Sequence, residues 1–251
     1  ELRHGMEAGA RLTVGIPLYE RRTLEISYFG LQHWAARRDV EGDDNLSLPG
    51  DIALATSDFF DADRMRFHYS SALNNAEVTL VRPAAWNDLA LLAGFRYVGL
   101  REQFGISSFD GDAGASDYTI DAENHLFGAQ VGGRLQKQRG RFGLDFVGKA
   151  GLFASFAQQH TFLGDSNNTV TLRNSTTRGC QAAFLGELGL TGKFELTRGL
   201  WFRGGYSALW LEGVARAPDQ LDFTDTATSG TALVYRSAFL HGPNVGLEAQ
   251  W

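Results

Sequence analysis

Charged and polar side chains recur at every second position through much of this 251-residue chain, and their placement decides what chemistry is open to it. Opposite an apolar parity stand Arg11, Glu25, Arg66, His68, Glu77, Arg96, Gln130, Arg134, Asp145, Lys149, Glu187, Lys193, Arg203 and Glu248. Both signs are present in near-equal number. Enclosed together they would pair, because an isolated charge in a narrow interior costs several kcal/mol. A second group is acidic: Asp110 with Asp112 and Asp117, and Asp58, Asp61 and Asp63. Hard cations such as Ca²⁺ want oxygen clusters of this kind. Acidic residues are also ordinary turn chemistry, so Asp110, Asp112 and Asp117 are weak metal candidates, and no cofactor is otherwise expected. The histidines (His4, His33, His68, His125, His160, His241) show no metal-ligand spacing. The chain carries no Gly-x-Ser-x-Gly, Walker or Cys-x-x-Cys pattern. Its single cysteine, Cys180, rules out an intrachain disulfide and reads as a small strand residue rather than a nucleophile. No catalytic residue is assigned.

Those charges are set by alternation, the signature of half-buried strands. Phe142, Leu144, Phe146, Gly148, Ala150, Leu152, Ala154 and Phe156 occupy one parity of 142–156, against Asp145, Lys149 and Ser155. Ala182, Phe184, Leu188, Leu190 and Phe194 face away from Glu187, Thr191 and Lys193. Phe202, Tyr206 and Trp210 oppose Arg203 and Ser207, and Val245, Leu247 and Trp251 oppose Asn244 and Glu248. Weaker copies lie at 8–14, 24–34, 65–81, 89–98 and 124–135. Within 65–81 the apolar parity switches from Met65, Phe67 and Tyr69 to Ala76, Val78 and Leu80, as a β-bulge near Leu73–Asn74 would cause.

Nine strands follow: 6–16, 22–37, 64–82, 87–104, 118–137, 141–157, 180–197, 199–215 and 237–251. Short turns at 17–22, 82–86, 137–141 and 197–199 alternate with long polar connections near 39–63, 105–117, 158–178 and 216–241. Outer-membrane barrels alternate short periplasmic turns with long external loops in this way. Aromatics mark the two ends. Tyr19, Trp86, Phe142, Trp201 and Trp251 lie near short turns or the C-terminus, and Trp34, Tyr97, Phe156 and Trp210 lie toward the long connections. Trp201 to Trp210 spans roughly 30 Å of strand and about 22 Å of depth at a 45° tilt, close to the ~25 Å apolar band between aromatic girdles.

A bacterial barrel wants an even strand count with both ends periplasmic. The first strand leads into a short turn and so starts outside. One strand is therefore expected before Glu1, making about ten, unless part of 42–63 supplies it. The chain has no charged-then-apolar leader at Glu1, so it is either a mature exported form or one that never carried an export signal.

Bulk properties agree with a single β-barrel over 1–251. No apolar run reaches the ~20 residues of a membrane helix, but a barrel strand needs only ~9–11, apolar at alternate positions. A mean hydropathy of −0.20 fits a soluble or a barrel protein equally. The formal charge of −6 argues against a nucleic-acid partner.

In four segments the chain resembles the seventh β-barrel porin family described from planctomycete bacteria. Arg11-Leu-Thr-Val-Gly15 and Leu24-Glu-Ile-Ser-Tyr-Phe29 resemble its first hairpin. Tyr69-Ser-Ser71, Ala76-Glu77 and Leu92-Ala-Gly-Phe-Arg-Tyr97 resemble its central strands. Asn124-His-Leu-Phe-Gly-Ala-Gln-Val-Gly132, Arg139-Gly140 and Gly148-Lys149 are similar to its most recognisable block. Thr197, Gly204-Gly-Tyr206, Trp210, Arg216, Asp219-Gln-Leu-Asp222 and Gly246-Leu-Glu-Ala-Gln-Trp251 are similar to its C-terminal part. Near residue 216 the family pattern Arg-Pro-Gly-x-Gln is replaced by Arg216-Ala-Pro-Asp-Gln220, and the aromatic-rich strand that usually opens the family is lacking. The resemblance implies an antiparallel transmembrane barrel in a bacterial outer membrane more firmly than it implies an activity.

With about ten strands, the interior lies nearer the filled barrels of ~8 strands than the open channels of 16. A narrow or plugged channel, or a surface-anchoring barrel, is expected. Its partners would be outer-membrane lipid and any surface proteins reached by the long loops. An outer-membrane lipid hydrolase would need a Ser–His pair with an orienting group at the membrane rim. His33 and His160 lie near outer strand ends, without an assignable serine. A soluble ligand-binding barrel would instead turn its apolar parity inward.

Overall fold

Alternation along the chain produces one antiparallel sheet in strict chain order, β1 to β9. The computed structural model describes residues 8–19, 21–84, 88–111 and 115–250. Trp86, Asp112, Trp251 and the side chain of His33 lie outside the described residues. The strands are β1 (Gly9–Pro17), β2 (Thr23–Leu46), β3 (Ala62–Pro83), β4 (Leu89–Phe109), β5 (Ala115–Arg139), β6 (Phe142–Asp165), β7 (Val170–Thr197), β8 (Leu200–Ala215) and β9 (Tyr235–Ala249). Each pairs with its chain neighbours, and β1 and β9 remain as edges, so the sheet is not closed.

The sheet is strongly curled all the same. Glu25 on β2 meets Arg134 on β5, Glu77 on β3 meets Lys149 on β6, and Arg96 on β4 meets Glu187 on β7. Arg11 on β1 lies 3.6 Å from Glu187 on β7. Side chains of strands three or more apart touch only across a concave face, which is the interior.

Polarity inverts along the strands. Near the short turns, at 18–22, 84–88, 140–141 and 198–199, the outer surface is apolar: Phe146 is 44% exposed, Leu188 56% and Tyr206 48%. Lys149 and Glu187 lie on the inner face there. Toward the other end the faces exchange character. On β5 the outward series is Leu135, Val131, Phe127, then His125, Glu123, Asp121 and Thr119. The inward series on the same strand is Arg134 and Gln130, then Leu126, Ala122, Ile120 and Tyr118. The exchange falls at one level on neighbouring strands, where Gly99, His125, Phe156 and Cys180 stand in register.

This inversion corrects two expectations. Residues 105–109, 115–117, 158–165 and 170–179 are strand rather than loop, so the connections there shrink to 110–114 and 166–169, and strict alternation of short and long connections is lost. Likewise, 42–46 and 62–63 lengthen β2 and β3 instead of forming another strand. No bulge explains the parity switch in 65–81. β3 pairs with β4 in continuous register from Arg64 to Pro83, with Met65, Tyr69 and Leu73 buried on the inside and Val78 and Leu80 exposed outside. The apolar residues change parity because the apolar face changes side. The register shift at this level lies on β2, between Leu31 and Trp34. A further shift, in the pairing of β8 with β9, turns at Gly213, whose φ of +85° and close approach to the Ala182 carbonyl, 2.9 Å from an ideal Cβ, call for glycine.

Two apolar clusters fill the interior, the first beginning just on the short-turn side of the inversion level and the second lying beyond it. Leu73, Val98, Leu100, Leu126, Phe153, Leu185, Leu209 and Leu211 form a layer across it. Above them Met65, Phe104, Ile106, Tyr118, Ile120 and Leu163 pack against Leu48, Ile52 and Phe59 from the 47–61 connection and Ala217, Leu221 and Phe223 from the 216–234 connection.

Candidate functional site: the charged interior

Arg96 is the centre of the inner charge network, with a side chain only 1% exposed. Its guanidinium donates to Glu187 at 2.5 Å, to Asn75 at 2.5 Å and to Gln130 at 3.4 Å, and Glu77 lies 4.0 Å away. Gln130 donates an amide hydrogen bond to Glu77 at 2.7 Å, and Lys149 donates to both Glu77 oxygens at 2.7 and 2.9 Å. Closer to the short turns Arg134 grips Glu25 with two bonds of 2.6 Å. Lys193 bridges Asp145 at 2.5 Å and Glu248 at 3.1 Å, and Arg203 reaches Glu248 at 3.1 Å. The charges neutralise one another across the interior. A buried ion survives only when paired and hydrogen-bonded, and these are.

Of the side chains expected together, Arg11, Glu25, Glu77, Arg96, Gln130, Arg134, Asp145, Lys149, Glu187, Lys193, Arg203 and Glu248 share this inner face. Arg66 and His68 do not. Arg66 donates to Asp39 at 2.7 Å and stacks over Phe109 on the outer surface. His68 faces outward beside Gly105. Both sit where the apolar parity of β3 points inward, so the rule that places charges inside reverses. Asn75 and Thr79, uncharged and on the same parity of β3 as Glu77, also face the interior. Tyr69 and Glu102, joined at 2.7 Å inside the apolar part, were hidden by the same reversal.

The aromatic positions divide similarly. Tyr19, Tyr97, Phe142, Phe156 and Trp210 are turned outward or lie on the outer surface. Trp34 and Trp201 belong to the inner face: Trp34 is paired with buried Ser71, and Trp201 is itself buried, opposite Glu248. Outward neighbours not anticipated complete the belt at the inversion level. Tyr97 packs on Phe127, Phe127 on Phe156, Phe184 on Trp210, and Phe239 on His241. Tyr28 donates to Asn74, Tyr97 bonds His125 and Tyr206 bonds His241, so the rings carry polar tips.

The acidic residues near the outer ends mostly serve as hydrogen-bond acceptors. Asp117 accepts from Ser107 at 2.6 Å and Asn168 at 2.8 Å. Asp58 accepts from Ser116 and the Asn167 amide, and Asp165 from Ser57 and the Asp58 amide, lacing the 47–61 and 166–169 connections to each other and to the ends of β5 and β6. Burial opposes ionisation of Asp58, but these donors outweigh it and hold its carboxyl below the usual carboxylate range. Asp110 stands with Asp44 and Asp63, not with Asp117, their carboxylates within 4.8 Å. Asp61 bonds through its backbone to Ser47. The His160 ring faces Asn174 at 3.1 Å and Asp121 at 3.7 Å, and among the described residues no serine is hydrogen-bonded to it.

The family described as Putative beta barrel porin-7 (BBP7) matches residues 55–251. The chain belongs to this family. No curated protein and no solved structure matches it. Membership in a β-barrel porin family accounts for the curled antiparallel sheet with apolar residues outside and charges inside, and it makes the state of the interior the functional question.

Proposed function

We propose that this protein is an outer-membrane barrel whose interior is closed, so that it acts as an anchoring wall element rather than an open pore. The observation that carries this is the stacking of two seals: the ion-pair network about Arg96 and, above it, the apolar layer about Leu100, Leu126 and Leu185. Lipid around the strands from the short turns up to the aromatic belt explains why large apolar side chains are exposed there, as in known barrels. Water around the remaining strand ends explains why the outer surface becomes polar and the interior apolar. A soluble barrel has no reason to keep Phe95, Leu152 and Val245 between 74% and 80% exposed. No catalytic role is needed for any of these groups.

Single-channel recording in planar bilayers tests the closed interior. Near-silent membranes are expected, with the protein shown to be inserted by protease protection. Steady open currents from the unmodified barrel would refute the closed reading.

Backbone closure completes the proposal. β1 and β9 both run toward the short-turn end, so direct pairing between them would be parallel. In hydrocarbon, open edges are not tolerated. A tenth strand antiparallel to both, N-terminal to β1 in the same polypeptide, closes the barrel with every pair antiparallel. A Val14→Cys/Val245→Cys variant of the natural full-length chain is then expected to stay reduced. A disulfide forming readily between them would show that β1 and β9 meet without it.

A further inference from the structure

Above the aromatic belt the outer surface carries a groove of about 470 Å³ that the closed-barrel reading does not use. Its floor consists of two registered rows across β3 to β6. One row reads Ala72, Arg101, Glu123, Gln158, and the next outward row reads Ser70, Gln103, Asp121, His160. Directly beneath, in the same strands, lie Tyr97, His125, Phe127 and Phe156. The groove therefore begins where the apolar wall ends.

Its outward charges are one guanidinium, Arg101, and two carboxylates, Glu123 and Asp121. Arg101 is the most exposed of its charges, at 70%, and is held by Glu123 at 2.5–2.7 Å. Glu123 is fixed in turn by His125 at 3.1 Å, and His125 by Tyr97 at 2.8 Å, so the arginine is oriented from the belt upward. Asp121 is half exposed, and the His160 ring lies 3.7 Å from it. An aimed guanidinium and an available carboxylate thus sit on diagonal positions of adjacent strands, about 7–8 Å apart at the backbone. Gln103 and Gln158 flank them with amides that donate and accept.

We infer that this groove binds the zwitterionic headgroup of a membrane lipid, its phosphate on Arg101 and its primary ammonium on Asp121, with the acyl chains lying against Tyr97, Phe127 and Phe156. The inference rests on the membrane reading above. A purely anionic headgroup would leave Asp121 facing its negative charge. A trimethylated headgroup would satisfy the charge but could not donate hydrogen bonds to the carboxylate.

The test uses vesicles of equal parts phosphatidylethanolamine, phosphatidylcholine and phosphatidylglycerol. The full chain is reconstituted, released in mild detergent, and the lipids that stay bound are counted by native mass spectrometry. Phosphatidylethanolamine is expected to be retained over the other two. Asp121→Asn is expected to erase that preference, and Arg101→Ala to lower retention of all three phospholipids about fivefold, the effect of an exposed charge pair. Both side chains point into solvent, so neither change should disturb the sheet, and urea unfolding of each variant checks this. Equal retention of the three lipids, or an Asp121→Asn variant that keeps the preference, would overturn the inference alone. A chain that fails to float with the vesicles would overturn the membrane reading and this inference with it.

Discussion

Arg96→Ala is expected to destabilise the barrel by about 3–5 kcal/mol, the cost of stripping one partner from a buried ion pair. The arginine has bonds to Glu187, Asn75 and Gln130, and its loss leaves the buried Glu187 carboxylate without its hydrogen-bonded partner, with Arg11 3.6 Å away and half exposed and Lys149 opposite it on β6 already bonded to Glu77. Arg96→Lys should recover part of the loss, since an ammonium can meet Glu187 but cannot span three acceptors as a planar fork does. Adding Glu187→Gln to Arg96→Ala should also recover stability, because the orphaned charge is then gone. Reversible urea unfolding in vesicles or micelles measures all three. The same experiment reports on function. If Arg96→Ala cost less than about 1 kcal/mol, the range of solvent-exposed pairs, water would have to reach Glu187 freely, and the interior would be open.

The strands near the short turns were legible because two conditions coincide there. Most of their apolar residues face one side, as in the even positions from Phe142 to Phe156 on β6, and charges such as Asp145 and Lys149 mark the other. The inner network followed from the same parity, which its uncharged members Asn75 and Thr79 share with Glu77. Past the inversion level the signal weakens for a physical reason. Gln158 and His160 on the outside of β6 alternate with Gln159 and Thr161 on the inside, so both parities read polar and the stretch resembles a loop. On β3 the residues kept a clear alternation, but its sense was reversed, which sent Arg66 and His68 to the wrong face. Parity alone states that two faces differ. Which face looks outward depends on the medium outside, and that medium changes along a single strand. Trp34 and Trp201 show a related limit: nearness to a strand end does not fix the face on which an indole lies.

That change of medium gives the second large effect. Leu188 lies outward on β7, near the middle of the apolar stretch from Phe194 to Cys180, and 56% of it is exposed. If hydrocarbon surrounds it, Leu188→Arg should cost about 2–4 kcal/mol, as arginine does at a bilayer midplane. Thr176 points outward on the same strand, six outward positions nearer the 166–169 connection and past the inversion level, opposite His160. On the proposed reading water surrounds that end of the strand, and Thr176→Arg should cost within about 0.5 kcal/mol of nothing. Arginine at Ala182, just inside the belt, should fall between them, because a long side chain can carry its charge toward the headgroups. Unfolding free energies of the three variants in vesicles therefore trace the outer boundary of the membrane along one strand. A flat profile, with Leu188→Arg as harmless as Thr176→Arg, would mean that the apolar surface does not meet lipid. The exposed phenylalanines and leucines would then have to be covered by another protein, and the charged interior would no longer define a membrane barrel.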